Sequence, residues 1–194
     1  MEIPTARVLQ DGTLRFGVGQ ALPFRWFTAG MGIFPGLELS GRVTEITNIP
    51  SGLGPAYGAN KDKALDVKYQ VLPESRWLPA IALGLNDFYG TQLFEAQYIA
   101  VNRQIFPFDF TLGYGTKRLE GLFGGIELSL HPRLSLMAEY NPIKYEEDKP
   151  SARGVPEGAN SPVDFGLRFK PYPGIHIDLS YQRGQEVGMM LYFQ

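Results

Sequence analysis

Residues 121–140 read GLFGGIELSLHPRLSLMAEY, and residues 163–181 read VDFGLRFKPYPGIHIDLSY. Ile126, Leu128 and Leu130 share one parity, with Glu127, Ser129 and His131 between them. Past Pro132-Arg133, Leu134, Leu136, Ala138 and Tyr140 alternate with Ser135, Met137, Glu139 and Asn141. Val163, Phe165, Leu167 and Phe169 then alternate with Asp164, Gly166, Arg168 and Lys170, and Ile175, Ile177, Leu179 and Tyr181 with His176, Asp178, Ser180 and Gln182. Successive side chains of a strand point to opposite faces, so each segment has one apolar and one polar face.

Which face is enclosed decides the fold. A soluble sheet buries the apolar parity, whereas a membrane barrel turns it toward lipid and encloses the polar one. Segments of about ten residues suit a tilted strand crossing the hydrocarbon layer, while soluble strands are nearer five or six. Tight turns are expected at Pro35-Gly36, Pro73 to Arg76, Pro107, His131 to Arg133 and Tyr172 to Gly174, alternating with longer links, notably Pro50 to Lys63 and Lys144 to Asn160. Short turns on one side and long loops on the other fit an outer-membrane barrel.

Outward from this stretch, similar alternations cover Leu14 to Val18, Phe24 to Phe34, Leu37 to Ile46, Leu65 to Val71, Ile81 to Leu85, Phe108 to Tyr114 and Met189 to Phe193. Parity slips near Glu45-Ile46, which predicts a bulge. Phe24, Trp26 and Phe27 suit either an interfacial aromatic girdle or a sheet core. Asp87 to Thr91 reads as a loop. Gln92 to Ile105 is the least regular strand, because Ile99 and Val101 share parity with Glu95, Gln97 and Arg103. Residues 1–12 read as a short lead ending at Gln10-Asp11-Gly12. The expectation is all-β: one domain over residues 1–194, a transmembrane up-and-down antiparallel barrel of about twelve strands, with both termini on the tight-turn side.

The chain carries 18 Lys plus Arg against 20 Asp plus Glu and no Cys. A near-balanced charge spread along the strands gives no nucleic-acid footprint. Without Cys there is no disulfide and no thiol chemistry. No basic segment followed by an apolar run opens the chain, so the barrel reading requires an export signal outside this numbering, and a soluble β-sandwich stays open as the rival.

Several strings together resemble a known family. They are Pro4 to Leu9 with Asp11 to Gly17, Arg42 to Asn48, Ser51 to Pro55 with Lys61 to Ala64, Leu72 to Ser75, Asp109 to Gly113, Phe123 to Glu127 and Tyr181 to Gly184. The set is similar to the YjbH family of outer-membrane proteins, encoded with exopolysaccharide and capsule genes in Gram-negative bacteria. The resemblance runs over nearly the whole chain, which is shorter than the larger members and looks like their first barrel alone. It implies a cell outer-membrane location and a role in exopolysaccharide production or export, and it supplies no catalytic residue.

On the barrel reading the enclosed parity carries Arg15, Glu38, Arg42, Asp66, Lys68, Asp109, Glu127, Glu139, Asp164, Arg168, Lys170 and Asp178. Enclosed charges must be paired or hydrated. The set therefore suits either a polar conduit, with passive passage of small solutes, or a salt-bridged filling that leaves a scaffold recruiting periplasmic partners. The expected partners are outer-membrane lipid and lipopolysaccharide, with polysaccharide or periplasmic export proteins. His131 and His176, with Ser129 and Ser180 as neighbours, match no spacing motif for nucleophilic catalysis, so no enzyme is expected. No metal-ligand spacing or cofactor motif is present; Glu146-Glu147-Asp148 reads as a solvated loop sooner than a calcium site, and Gly121 to Gly125 as wall curvature sooner than a phosphate loop.

Overall fold

The structure is a computed structural model that describes residues 2–149, 153 and 161–194. Among them are β1 (Leu14–Ala21), β2 (Phe24–Phe34), β3 (Leu37–Pro50), β4 (Ala59–Leu72), β5 (Ala80–Gly90), β6 (Ala96–Ile105), β7 (Phe108–Lys117), β8 (Gly121–His131), β9 (Leu134–Tyr140), β10 (Val163–Phe169), β11 (Ile175–Gln182) and β12 (Glu186–Phe193). Each pairs antiparallel with its sequence neighbours, and β1 closes on β12 from Phe16↔Phe193 to Gln20↔Met189. Closure leaves no strand edge unpaired, which a hydrocarbon surrounding demands.

The apolar parity lies outside. Phe16 is 55% exposed, Phe165 56% and Leu136 42%, while Glu38, Asp164 and Asp178 on the opposite parity are 5%, 1% and 3% exposed. That inversion rules out the sandwich, in which Leu136 and Phe165 would be core.

Turns 35–36, 73–79, 106–107, 132–133 and 170–174 share one end, here the short-turn end, where β1 starts and β12 stops. The other end carries the links 22–23, 51–58, 91–95, 118–120, 141–162 and 183–185. The asymmetry rests mainly on 141–162, of which residues 150–152 and 154–160 lie outside the described residues, with most of the expected Lys144 to Asn160 link.

The other long link is shorter than expected, because β3 runs on to Pro50 and β4 begins at Ala59, with a single 3-10 turn at Pro55–Tyr57. Polar residues there suggested a loop, but they are strand. Arg25, Glu45 and Lys61 are in register on the outer face, with Glu45 3.6 Å from Arg25 and 3.3 Å from Lys61. The bulge expected near Ile46 is present, between Ile46 and Pro50.

Asp87 to Gly90 is strand and not loop. The register between β4 and β5 shifts between Leu65 and Val67, and Asp87 has φ +51°. Its backbone N–H donates to Asp66 Oδ1 (2.6 Å), and its carboxylate accepts from the N–H groups of Gln92 (3.1 Å) and Phe94 (2.9 Å). The irregularity is a bulge fixed by these bonds. Of the aromatic trio, Phe24 is 2% exposed inside the barrel and Trp26 shares its inward parity, so only Phe27, at 54%, reaches the outer wall. The girdle reading fails for the first two.

Candidate functional site

The interior wall is built by register. Arg168 stands opposite Asp178 and donates to it through Nε (2.8 Å) and Nη2 (2.7 Å), while Nη1 reaches Glu127 on β8 (3.1 Å). Across the barrel Glu38 faces Lys68 (3.4 Å) and Arg15 (3.2 Å), and Arg42 lies 3.8 Å from Asp66. Bidentate guanidinium pairing is the strong form of this contact. Asp109 accepts from Asn102 Nδ2 of the neighbouring β6 (3.3 Å), and Asp109, Glu139 and Asp164 also bond elements outside the adjoining strands, described below. Lys170 differs: it lies beyond β10 at the short-turn rim, its N–H donates to the Arg133 carbonyl, and among the described residues it joins no ion pair.

What fills the space between these walls is residues 2–12, here called the strap. From Leu14 at the short-turn end the chain runs backward inside the barrel. Gly12 N–H donates to the Gly32 carbonyl (2.9 Å), Leu9 N–H to Glu38 (2.9 Å) and Ala6 N–H to Asn102 Oδ1 (2.6 Å), while Gln70 Nε2 donates to the Ala6 carbonyl (2.7 Å). Arg7 holds Asp109 through Nε (3.2 Å) and Nη2 (2.9 Å) and also bonds Glu74. Glu2 N–H donates to Glu139 (2.6 Å), near the long-loop end. Backbone groups out of contact with water need partners, and the wall supplies them. The expected short lead is therefore the filling of the barrel, and Glu2 lies at the end opposite to β1's start.

One sector of the wall under the strap is not charged. Ala6 packs with Ala80, Ala82, Ala96, Tyr98, Ala100, Leu119 and Phe123, with Ile3 against the cluster. This accounts for β6, whose inward parity is Ala96, Tyr98, Ala100 and Asn102, leaving Gln97 and Arg103 on the opposite one. Room comes from absent side chains: a Cβ on Gly84 would lie 2.1 Å from the Tyr98 ring, and one on Gly32 2.1 Å from the Gln10 carbonyl oxygen. Gly113 similarly makes way for Phe123, so glycines in this region seat rings and strap.

At the long-loop end the strap meets a cationic, aromatic cage. Arg118 donates to Asp148 through Nε (2.8 Å) and Nη2 (3.1 Å), and its guanidinium lies 4.4 Å from the Phe94 ring centre and 5.4 Å from that of Tyr145. Arg183, 1% exposed and with φ +59°, lies 5.5 Å from the Phe24 ring centre and 5.3 Å from that of Tyr145; its backbone N–H donates to Asp164 (2.7 Å). Cations over ring faces in a desolvated site attract strongly. The Tyr145 hydroxyl and Asn141 Nδ2 both donate to the Glu2 carboxylate. Burial works against that carboxylate, but Arg183, Arg118 and the Tyr145 hydroxyl outweigh it and hold its pKa below the ordinary value. Burial, with Glu2 alongside, pushes the Tyr145 phenol well up, so it stays a donor.

The cage corrects one expectation: Asp148, 6% exposed, faces inward to Arg118 and is not part of a solvated acidic run. The histidines do not assemble with the serines. His131 Nδ1 accepts from the Arg133 N–H at the short-turn rim, and Ser180 accepts from Gln182 Nε2. Sequence reading missed Glu2, Arg7, Asn102, Arg118, Tyr145 and Arg183; the one available signal was the mixed parity of β6.

Comparison with known proteins places this geometry. The chain matches the YjbH family, described as "Exopolysaccharide biosynthesis protein YbjH", over residues 1–122 and 118–194. It is 36% identical over 118 residues to the uncharacterized lipoprotein YjbH of Escherichia coli K12, covering 59% of this chain and 17% of that protein. The match thus spans only a small part of that relative's length. Among solved structures, a KdgM porin aligns with a TM-score of 0.56 at 12% identity (93% of this chain, 98% of that one), and a NanC porin with 0.54 at 11% (94% and 100%). At such identity the likeness is one of fold.

Proposed function

The chain belongs to the YjbH family, and on that premise we propose that it serves exopolysaccharide production as an outer-membrane β-barrel closed at rest by its own residues 2–12. The observation that carries this reading is the strap, bonded to opposite walls at Glu38, Asn102 and Glu139. Free passage of small solutes through the resting barrel is disfavoured by the same bonds. Its partners on this reading are lipopolysaccharide, met by Arg25, Lys61 and Lys63 on the outer face near the long-loop end, and polysaccharide or periplasmic export proteins. No residue is assigned a catalytic role.

Planar-bilayer recording tests closure. The unaltered chain is expected to give no conductance steps, and a variant lacking residues 2–9 to give them, with heat-dependent gel mobility reporting that the barrel has formed. Steps of equal size from both proteins would end the proposal. The strap's extensive bonding also favours a scaffold whose lumen never opens. In that case deleting residues 2–9 leaves polysaccharide output in cells unchanged, whereas a conduit governed by the strap alters it.

A further inference from the structure

The outer wall is not uniform. The outward parity of β8–β12 and β1 carries no charged side chain, whereas three cations stand together on β2 and β4 near the long-loop end. They occupy successive rows of the sheet: Arg25, Glu45 and Lys61 are in register in the first, and Phe27, Val43 and Lys63 in the next. Glu45 lies 3.6 Å from Arg25 and 3.3 Å from Lys61, but one carboxylate cannot answer three cations, and among the described residues Lys63 joins no ion pair. A cation on a lipid-facing wall is costly at the hydrocarbon midplane and tolerated only near the headgroups. There an anionic headgroup attracts it, and phosphate oxygens accept charge-assisted bonds from guanidinium and ammonium groups.

Below the cations the same wall becomes apolar and grooved. Leu65, Val67 and Tyr69 continue the outward parity of β4, and a groove of about 520 Å³ opens beside them across β4 to β7. One register row of the groove is Tyr69, Leu83, Ile99 and Tyr114, so two exposed phenol rings bracket two aliphatic side chains. Val67, at the end of the groove nearer the cations, is about 13 Å along the strand from Lys63. One leaflet of hydrocarbon is ~15 Å deep, so a chain descending from a headgroup at Lys63 reaches the groove within its own leaflet. Tyr89, in register with Leu65 and 70% exposed, stands between the two, where a phenol suits the headgroup boundary.

We infer that this wall docks one phosphorylated lipid of the outer leaflet, of the lipid A class, with its phosphates on Arg25, Lys61 and Lys63 and an acyl chain in the groove between Tyr69 and Tyr114. The inference rests on the outer-membrane reading above, whose lipid partner it specifies, and not on closure by the strap. The two features select the occupant together. A free anion gains nothing from the groove, a neutral lipid leaves the cations unanswered, and a second copy of the same wall brings the same excess of cations.

Native mass spectrometry of the full chain in detergent tests it, with heat-dependent gel mobility confirming that each barrel has formed. Bisphosphorylated lipid A is expected to bind saturably as one copy per chain, and the same lipid stripped of both phosphates at least tenfold more weakly. The combined variant Arg25→Gln, Lys61→Gln, Lys63→Gln should weaken the bisphosphorylated form at least tenfold. Lys117→Gln, at the same end but paired with Glu95, should leave it unchanged. Filling the groove with Ile99→Trp should weaken binding several-fold. Equal binding of the two lipids, or undiminished binding to the combined variant, overturns the inference. Insensitivity to Ile99→Trp removes the acyl chain from the groove and overturns docking of the lipid as a whole. A dimer in place of the lipid-bound monomer assigns the wall to a second copy and likewise overturns it. Bilayer steps from the unaltered chain count against closure alone, and phosphate-dependent lipid binding still supports the site.

Discussion

Two walls of the same lumen treat the strap differently. The faces of β5 and β6, with Phe123, meet it with Ala80, Ala82, Ala96 and Ala100, whereas elsewhere it meets carboxylates, Glu38 on β3, Asp109 on β7 and Glu139 on β9, on an enclosed parity that also carries the Glu38–Lys68 and Glu127–Arg168–Asp178 ion pairs. The strap matches both, turning Ile3 and Ala6 to the small-residue wall and bonding through Leu9 N–H and Arg7 to carboxylates. A barrel interior is thus not polar by rule. It takes the chemistry of whatever occupies it, and alternation along a strand shows only that its two faces have different neighbours.

Breaking the charged wall should have the largest effect. Arg168→Met leaves Asp178, 3% exposed, and Glu127 without their cation, and removing one partner of a buried pair costs about 3 kcal/mol or more. Urea unfolding in detergent should show that loss, and an unchanged midpoint would mean the lumen is wet enough to hydrate the carboxylates. Overfilling the apolar wall comes next. Ala82→Leu puts three extra carbons where Ala82 is 0% exposed, at a cost of about 1–3 kcal/mol, and should loosen the strap without opening the barrel. Bilayer steps together with preserved gel mobility would establish it.

Acid is a gentler lever on the same comparison. The Glu74 carboxyl lies below its ordinary range because the Gln104 N–H and Arg7 outweigh its slight burial, and Glu2 is lowered as described. A depressed carboxylate contributes stability that is complete above the unfolded pKa of 4.5 and lost as pH falls through the lower folded value. Loss of these two carboxylates' hold on the strap, followed by conductance or protease access at Arg7, is therefore expected to set in as pH falls below about 4.5. The smallest effect should come from Lys61→Ala on the outer face: exposed pairs are worth roughly 0–1 kcal/mol, so the unfolding midpoint should barely move.

The strands were legible wherever an apolar parity met lipid and a polar parity met charge, as from Ile126 to Tyr140 and from Val163 to Tyr181. Legibility ended where a second layer of chain intervened. β6 looked irregular because its inner face is alanine and tyrosine under the strap, and the cage residues Arg118 and Arg183 belong to turns with no periodicity to read.

Alternation, turn chemistry and the YjbH-like strings determined a single antiparallel barrel and the side of each regular strand that faces its axis, because a pleated strand writes its two environments into every second residue. Only the tertiary structure decided what stands on that axis. A segment inside a closed cylinder has wall on every side, so residues 2–12 carry no alternation to betray them. Their partners at Glu38, Asn102, Asp109 and Glu139 are between 29 and 137 positions away along the chain, brought together solely by closure of β1 on β12.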